Sequence, residues 1–356
     1  LLAPLFAFVR ADFNVSYTEL ALALTVFNVA SGLLQTPIGF LVDRIGARIV
    51  LIAGLAISTI AYAIAGLADS YWVFIAMYGL AGVGNTVFHP SDYSLLAHHA
   101  PKERLGQVFA FHSFAGILGS AVAPATLLFM QSYFGWRSAY VGASIFGLIV
   151  LFALMAQPEP KADIAPAAKT PAKTRSGMAS SWRLLMTPAI LLNLAYFVLT
   201  SIMGGGLNTY LVVALGALHA TPVDVANMAL TSLLAMNAVG VLAGGVVAGR
   251  TTHHAAVAAS GLAVGGVVTA LVGLYDFHSV GLILLMGMSG FFVGVTYPSR
   301  DMLVRAVTPA GAYGLVFGFV SVGFNIGASI APIVYGALMD NHMPRSVFLL
   351  SAAVSI

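Results

Sequence analysis

Cysteine is absent from the 356 residues, which excludes disulfides and thiolate metal sites. Charge is almost as scarce: Asp, Glu, Lys and Arg together make up 8% of the chain, about a third of the share usual in soluble domains. The formal net charge of +3 points to no nucleic-acid partner, because the basic residues lie in short connectors between apolar runs and form no basic face. No G-x-x-x-x-G-K-S/T stretch occurs, so direct use of ATP is disfavoured. No cleavable leader is visible; the first residues read as the tail of an apolar span. Beyond a few histidines there is no cluster of nucleophile, base and metal ligand. No catalytic residue, cofactor or metal site is therefore expected.

What the chain does have is hydrophobicity, at 60% of all residues, and 37 glycines, which weaken soluble helices but let helices approach closely in lipid. A hydrocarbon core of roughly 30 Å takes about 20 apolar helical residues. Ten complete spans are expected near 18–42, 49–67, 72–97, 105–131, 138–156, 187–214, 223–249, 255–275, 279–305 and 311–338, with fragments of a first span at 1–9 and a last at 346–356. The apolar runs are continuous and do not alternate, which favours an all-α membrane protein over a barrel. Arg44, Arg48, Lys102, Arg104, Lys161, Lys169, Lys173, Arg175, Arg183, Arg250 and Arg305 fall in one set of connectors, against Arg10, Arg137 and Arg345 in the other. That asymmetry places the first set in the cytoplasm. Residues 157–181, rich in Pro, Ala, Ser and Lys, read as a flexible cytoplasmic linker between an N-terminal half (1–156) and a C-terminal half (182–356).

The two halves repeat one another. At a constant offset of 208, Pro90 falls on Pro298, Ser91 on Ser299, Gly106 on Gly314, Phe109 on Phe317, Gly119 on Gly327, Pro124 on Pro332 and Arg137 on Arg345. Duplicated halves in so apolar a chain point to a transporter whose halves rock about a central site.

Between the second and third spans runs Gly39-Phe40-Leu41-Val42-Asp43-Arg44-Ile45-Gly46-Ala47-Arg48. This resembles the G-x-L-x-D-R-x-G-R-R/K loop of the major facilitator superfamily, with Gly39, Asp43, Arg44, Gly46 and Arg48 in place and Ala47 where a basic residue is frequent. The matching place in the second half, Gly249-Arg250-Thr251-Thr252-His253-His254, has lost the acid. The resemblance implies two pseudo-symmetric six-helix bundles, alternating access, and a latch on the cytoplasmic gate. Independently of the family, Asp43 is suited to the positive end of a neighbouring helix. Phe88-His89-Pro90 resembles the F-H-P motif of the fosmidomycin-resistance branch of bacterial exporters, which carries an acid directly after the proline where this chain has Ser91 and then Asp92. The run Gly119 to Leu128 keeps one glycine and the proline of a drug–proton antiporter motif.

Ionisable residues within spans are costly and mark function by default. Asn85, His89 and Asp92 in the fourth span follow i, i+4, i+7 spacing and are expected on one face. His112 in the fifth span is expected at nearly the depth of His89, and both histidines are candidates for carrying a proton. The offset maps Asp92 onto Arg300, which follows Tyr297 and precedes Asp301 in the tenth span. Two roles stand open: an Asp92–Arg300 pair that gates the cytoplasmic side, or an Arg300 that binds an anionic substrate while Asp92, His89 or Asp301 carries the proton. Pro90 and Pro298 are expected to break their helices, and Gly204, Gly205 and Gly206 to bend the seventh span ahead of Asn208. Asn237 is among the amides placed to hydrogen-bond substrate. The sum is a multi-pass protein of a bacterial inner membrane, monomeric, moving a small organic solute by proton-coupled alternating access. Export of a drug or metabolite leads, with uptake of an organic anion such as a carboxylate as the alternative.

Overall fold

Long apolar runs without turn signals must satisfy their backbone hydrogen bonds internally in hydrocarbon, and only a helix does so within one segment. In the computed structural model, which describes residues 2–15, 17–158 and 178–356, they are helical. The helices are α1 (Leu2–Phe13), α2 (Tyr17–Ile45), α3 (Ala47–Leu67), α4 (Tyr71–Asn85), α5 (Phe88–His99), α6 (Leu105–Ala156), α7 (Met178–Leu185), α8 (Pro188–His219), α9 (Val223–Arg250), α10 (His254–Leu274), α11 (Ser279–Val307), α12 (Tyr313–Asp340) and α13 (Pro344–Ser355). Among the described residues nine helical stretches are long and apolar enough to cross a membrane, with α4 and α5 forming one of them. The 52-residue α6 holds two of the expected spans, because Gly135 reverses the chain at φ 81° and ψ 163°. The expected linker lies, apart from its ends, outside the described residues.

Contacts gather the chain into two compact units. The first is Leu1–His99, Ser120–Leu191 and Pro309–Phe319; the second is Ala100–Gly119, Leu192–Thr308 and Val320–Ile356.

The first unit has an aromatic core. Phe74 and Tyr78 of α4 pack with Trp136 and Tyr140 of α6, and Phe13 closes the cluster at 5.4 Å from Phe74. Tyr78 and Tyr140 also share a buried hydrogen bond. Burying both hydroxyls is tolerable because each satisfies the other. The second unit's core is largely aliphatic, with Leu211, Leu215, Val272 and Met286 buried, and includes the rings of Tyr335 and Phe348. Its α9 and α11 touch backbone to backbone: a Cβ on Gly240 or Gly244 would strike the Phe291 or Val295 carbonyl.

The two prolines at symmetric positions differ in effect. Pro90 follows a break: α4 ends at Asn85, Thr86 folds back onto the Val83 carbonyl, and α5 starts at Phe88. Pro298 sits inside an unbroken α11, which corrects the expected break there. The turn before Pro298 is clamped, since Gly294 lies against the Asn237 backbone of α9. Helix α8 likewise runs uninterrupted through Gly204, Gly205 and Gly206. The last two make room for Ala331 and Tyr335 of α12, so close packing rather than a helix break explains them.

Candidate functional site

In the first unit the loop after α2 is tied at both ends. The first helical turn of any helix leaves N–H groups without partners. In α12 two of these donate to Asp43, Gly314 to Oδ1 at 2.8 Å and Leu315 to Oδ2 at 2.8 Å. A carboxylate on a helix N-terminus is favoured both by these bonds and by the helix dipole. Gly39, one turn earlier, permits the approach: a Cβ there would stand 2.5 Å from the Gly314 carbonyl oxygen. Gly46 adopts φ 101°, a turn that side chains resist, and α3 begins directly after it. Arg48 does the complementary job for α6. Its guanidinium donates to the carbonyls of Leu154 (3.0 Å), Met155 (3.3 Å) and Gln157, the bare acceptors of that helix's C-terminus. Arg44 is exposed.

The expected stripe of the fourth span is divided. Asn85 belongs to α4 and donates to Ser31 of α2 at 3.0 Å, whereas His89 and Asp92 sit beyond the break on α5, both half-buried. His89 lies over Tyr93 at 6.2 Å, and Tyr93 stacks on Phe317 of α12 at 4.5 Å with planes 3° apart.

The second unit holds the most deeply buried charges. Arg300 and Asp301 of α11 are both buried and paired to each other: Nε and Nη2 of the guanidinium each stand 2.9 Å from Oδ1. The described ion pair of Arg300 is thus made within its own helix. Three rings surround the guanidinium carbon, Phe197 at 4.5 Å, Tyr297 at 4.8 Å and Phe324 at 5.3 Å. Aromatic faces stabilise a desolvated cation, which helps offset the cost of burying it. His112 of α6 lies in the field of the Asp301 carboxylate, and Tyr196 in the fields of both Arg300 and Asp301. Tyr297 also lines a cavity of about 70 Å³, together with Gly204, Asn208, Asn237, Thr269 and Ser289. The Tyr297 ring therefore touches both the Arg300 guanidinium and this cavity, whose other walls are largely apolar, Met203, Leu207, Leu233, Leu234 and Val293 among them. Spacing arguments had named Asn208, Tyr297, Arg300, Asp301 and His112 separately; Thr269 and Ser289 carried no signal, since lone hydroxyls are common in apolar helices.

The sequence pattern described as Major Facilitator Superfamily matches residues 1–255 and again 207–356. The chain belongs to that superfamily. Superfamily members of known structure agree in fold: the fucose:proton symporter of E. coli, 16% identical, superposes with a TM-score of 0.77 over 99% of this chain and 92% of its own. Three curated members give sequence similarity. A probable sulfoacetate transporter of Cupriavidus necator is 25% identical over 99% of this chain and 85% of its own length. A multi-drug resistance efflux pump of Streptococcus pneumoniae is 25% identical over 92% of this chain and 81% of its own. A probable L-galactonate transporter of Escherichia coli is 27% identical over 40% of this chain, and that match spans only 31% of the relative. Membership settles the class: a multi-pass integral membrane transporter of small solutes, and not an enzyme.

Proposed function

We propose that this superfamily member couples the movement of a small organic anion to that of a proton, with Arg300 and Asp301 as the coupling pair. The observation that carries the proposal is a buried ion pair whose arginine lies over a tyrosine ring that lines a cavity without charged side chains. Stranding one member of such a pair costs roughly 3–5 kcal/mol, so states with a bare Arg300 or a bare Asp301 are rare. A proton on Asp301 weakens its hold on the guanidinium, and a substrate carboxylate then competes for the arginine. Proton and anion enter together because either one alone leaves a buried charge uncompensated. His112, whose pKa lies near the physiological range when unperturbed, is the side chain we assign to pass the proton.

Coupling of this kind runs inward down a proton gradient that is acid outside, which favours uptake. Sulfoacetate and L-galactonate, the solutes in the names of two relatives, are both anions. The two six-helix halves, 1–156 and 182–356, rock about the site while the linker and the basic loops stay cytoplasmic in a bacterial inner membrane. Export is the second reading, supported by the efflux pump that matches over 92% of the chain. In an exporter, substrate and proton would occupy Asp301 in turn instead of together.

Proteoliposomes loaded at pH 7.5 and diluted into pH 5.5 buffer with labelled sulfoacetate or L-galactonate test this. Accumulation that a protonophore abolishes is expected, and Asp301→Asn should lose accumulation while keeping exchange between equal pools. Undiminished accumulation by Asp301→Asn would remove the aspartate from coupling. Efflux driven by external acid would replace uptake with export.

A further inference from the structure

Each unit clasps two helix ends together at the side away from Arg250 and Arg305, and the two clasps differ in chemistry. In the first unit Arg137 bonds the Asp12 carboxylate at the end of α1, the Ala68 carbonyl after α3 at 3.1 Å and the Asp69 carboxylate at 3.5 Å. Arginine keeps its charge at every pH a cell meets. In the second unit the offset of 208 puts Arg345 in place of Arg137, and Arg345 is exposed. The clasp there is made by His219, the last residue of α8, with a side chain only 10% exposed.

The Nε2 of His219 lies 3.0 Å from the Val272 carbonyl, in the last turn of α10. A carbonyl only accepts, so Nε2 carries a proton and Nδ1 is the nitrogen left to gain or lose one. Nδ1 faces the carboxylate of Asp276, 4.0 Å from Oδ1. When Nδ1 is bare, a lone pair meets a carboxylate. When it is protonated, the same contact is an ion pair at the C-terminus of α10, where the helix dipole also favours positive charge. The bond to Val272 holds the ring in both states, so the proton changes the strength of the clasp and leaves its geometry alone. The other charged or titratable side chains at this end of the unit are Asp224, Tyr275, His278, Asp340, His342 and Arg345, all exposed. Among the described residues, Asp276 is the carboxylate within ion-pair distance of His219.

Helices α8 and α10 both wall the cavity, through Gly204 and Asn208 on one and Gly265 and Thr269 on the other. We infer that His219 is a proton-operated clasp: acid at this end draws α8 to α10 and holds the second unit closed around its cavity, and neutral pH loosens it. Histidine changes charge between about pH 5 and 8, so of the two clasps only this one answers to pH in that range. In the orientation proposed above this end faces outside, which makes the clasp a brake that external acid applies.

The test needs neither a substrate nor a gradient. The chain has no cysteine, so Ala217→Cys and Tyr275→Cys, both at exposed positions, place nitroxide labels on the two clasped ends alone. Dipolar broadening, recorded on the full-length protein in nanodiscs at pH 8.0 and pH 5.5, reads the ratio of close to separated pairs. That ratio should rise at the lower pH by up to about fivefold, the factor a partly exposed ion pair supplies. His219→Gln keeps a donor for Val272 but cannot take a charge, and Asp276→Asn removes the counter-charge from an exposed position. Each should abolish the response. In an Asp301→Asn background the response should persist, because the clasp works without the coupling pair. An unchanged ratio in the parent, a response that survives His219→Gln or Asp276→Asn, or one that vanishes with Asp301→Asn would each overturn the inference.

Discussion

The α2–α12 contact and its counterpart between α9 and α6 use the same plan with one part missing. In the first, Gly39 lets α2 lie against the start of α12, and Asp43 caps the N–H groups of Gly314 and Leu315. In the second, Gly106 at the start of α6 lies against α9, where a Cβ would come within 2.8 Å of Ala248 Cβ. At the place of the aspartate stands Gly249, with the Glu103 carbonyl 3.5 Å and the Gln107 side chain 3.9 Å from where its Cβ would be. Close approach has been kept on both sides, and the charged cap on only one. Packing and electrostatics are therefore separable parts of this contact: glycine sets the distance, and aspartate sets how firmly it is held.

Removing the approach itself should have the largest effect. Gly39→Val places two methyl groups where the α12 backbone lies, and overpacking of that kind costs about 1–3 kcal/mol or more. Transport should be lost and the melting temperature in detergent should drop; normal flux would mean the helices separate freely at this point.

Removing the cap alone comes next. Asp43→Asn keeps the shape but surrenders a charge on the helix terminus, worth up to about 2 kcal/mol. Folded yield should stay near that of the parent while flux falls about tenfold and the basic end becomes more accessible to a thiol reagent at a cysteine introduced at Ala312. Unchanged accessibility would reduce Asp43 to a turn residue.

Restoring the missing cap is a smaller and more discriminating change. Gly249→Asp fits sterically, since the nearest atoms are at ordinary contact distance. It should slow turnover several-fold by holding the second contact more firmly, and in the Asp43→Asn background it should recover part of the flux. No interaction between the two substitutions in a double-mutant cycle would show that the two contacts open independently. The smallest change is Arg48→Lys, which exchanges a fork over three carbonyls for a single ammonium. It should lower the melting temperature by a degree or two with little effect on flux.

Much of the fold was legible because membrane helices are signalled by length and composition, and both survive as sequence. Residues 223–249 read from hydropathy compare with Val223–Arg250 in the structure, and 279–305 with Ser279–Val307. Helix interruptions were less legible. Proline removes the same donor at 90 and 298, yet only the first has a break beside it, because clamping by a neighbouring helix lies outside any local window. The site was legible as single residues and not as an arrangement. Spacing rules pair residues three or four apart, and Arg300 with Asp301 are adjacent; only a long arginine side chain folding back along its own helix joins them. Internal symmetry aligned Asp92 with Arg300, a comparison of positions that carries no information on which side chains touch.

Gly135 and Arg137 bear on how the protein reaches the membrane at all. The insertion machinery meets in α6 a stretch of 52 residues with a mean hydropathy of 2.3 in its most apolar part and no long polar connector to announce where one crossing ends. A single glycine reverses the chain there, and two residues later comes the only Lys or Arg between Arg104 and Lys161. Arg137 then bonds the Asp12 carboxylate and the Ala68 carbonyl, and lies 4.5 Å over the Trp136 ring. The arginine thus ties this part of α6 to α1 and to the turn after α3. A connector of a few residues thus serves at once as turn and as tie.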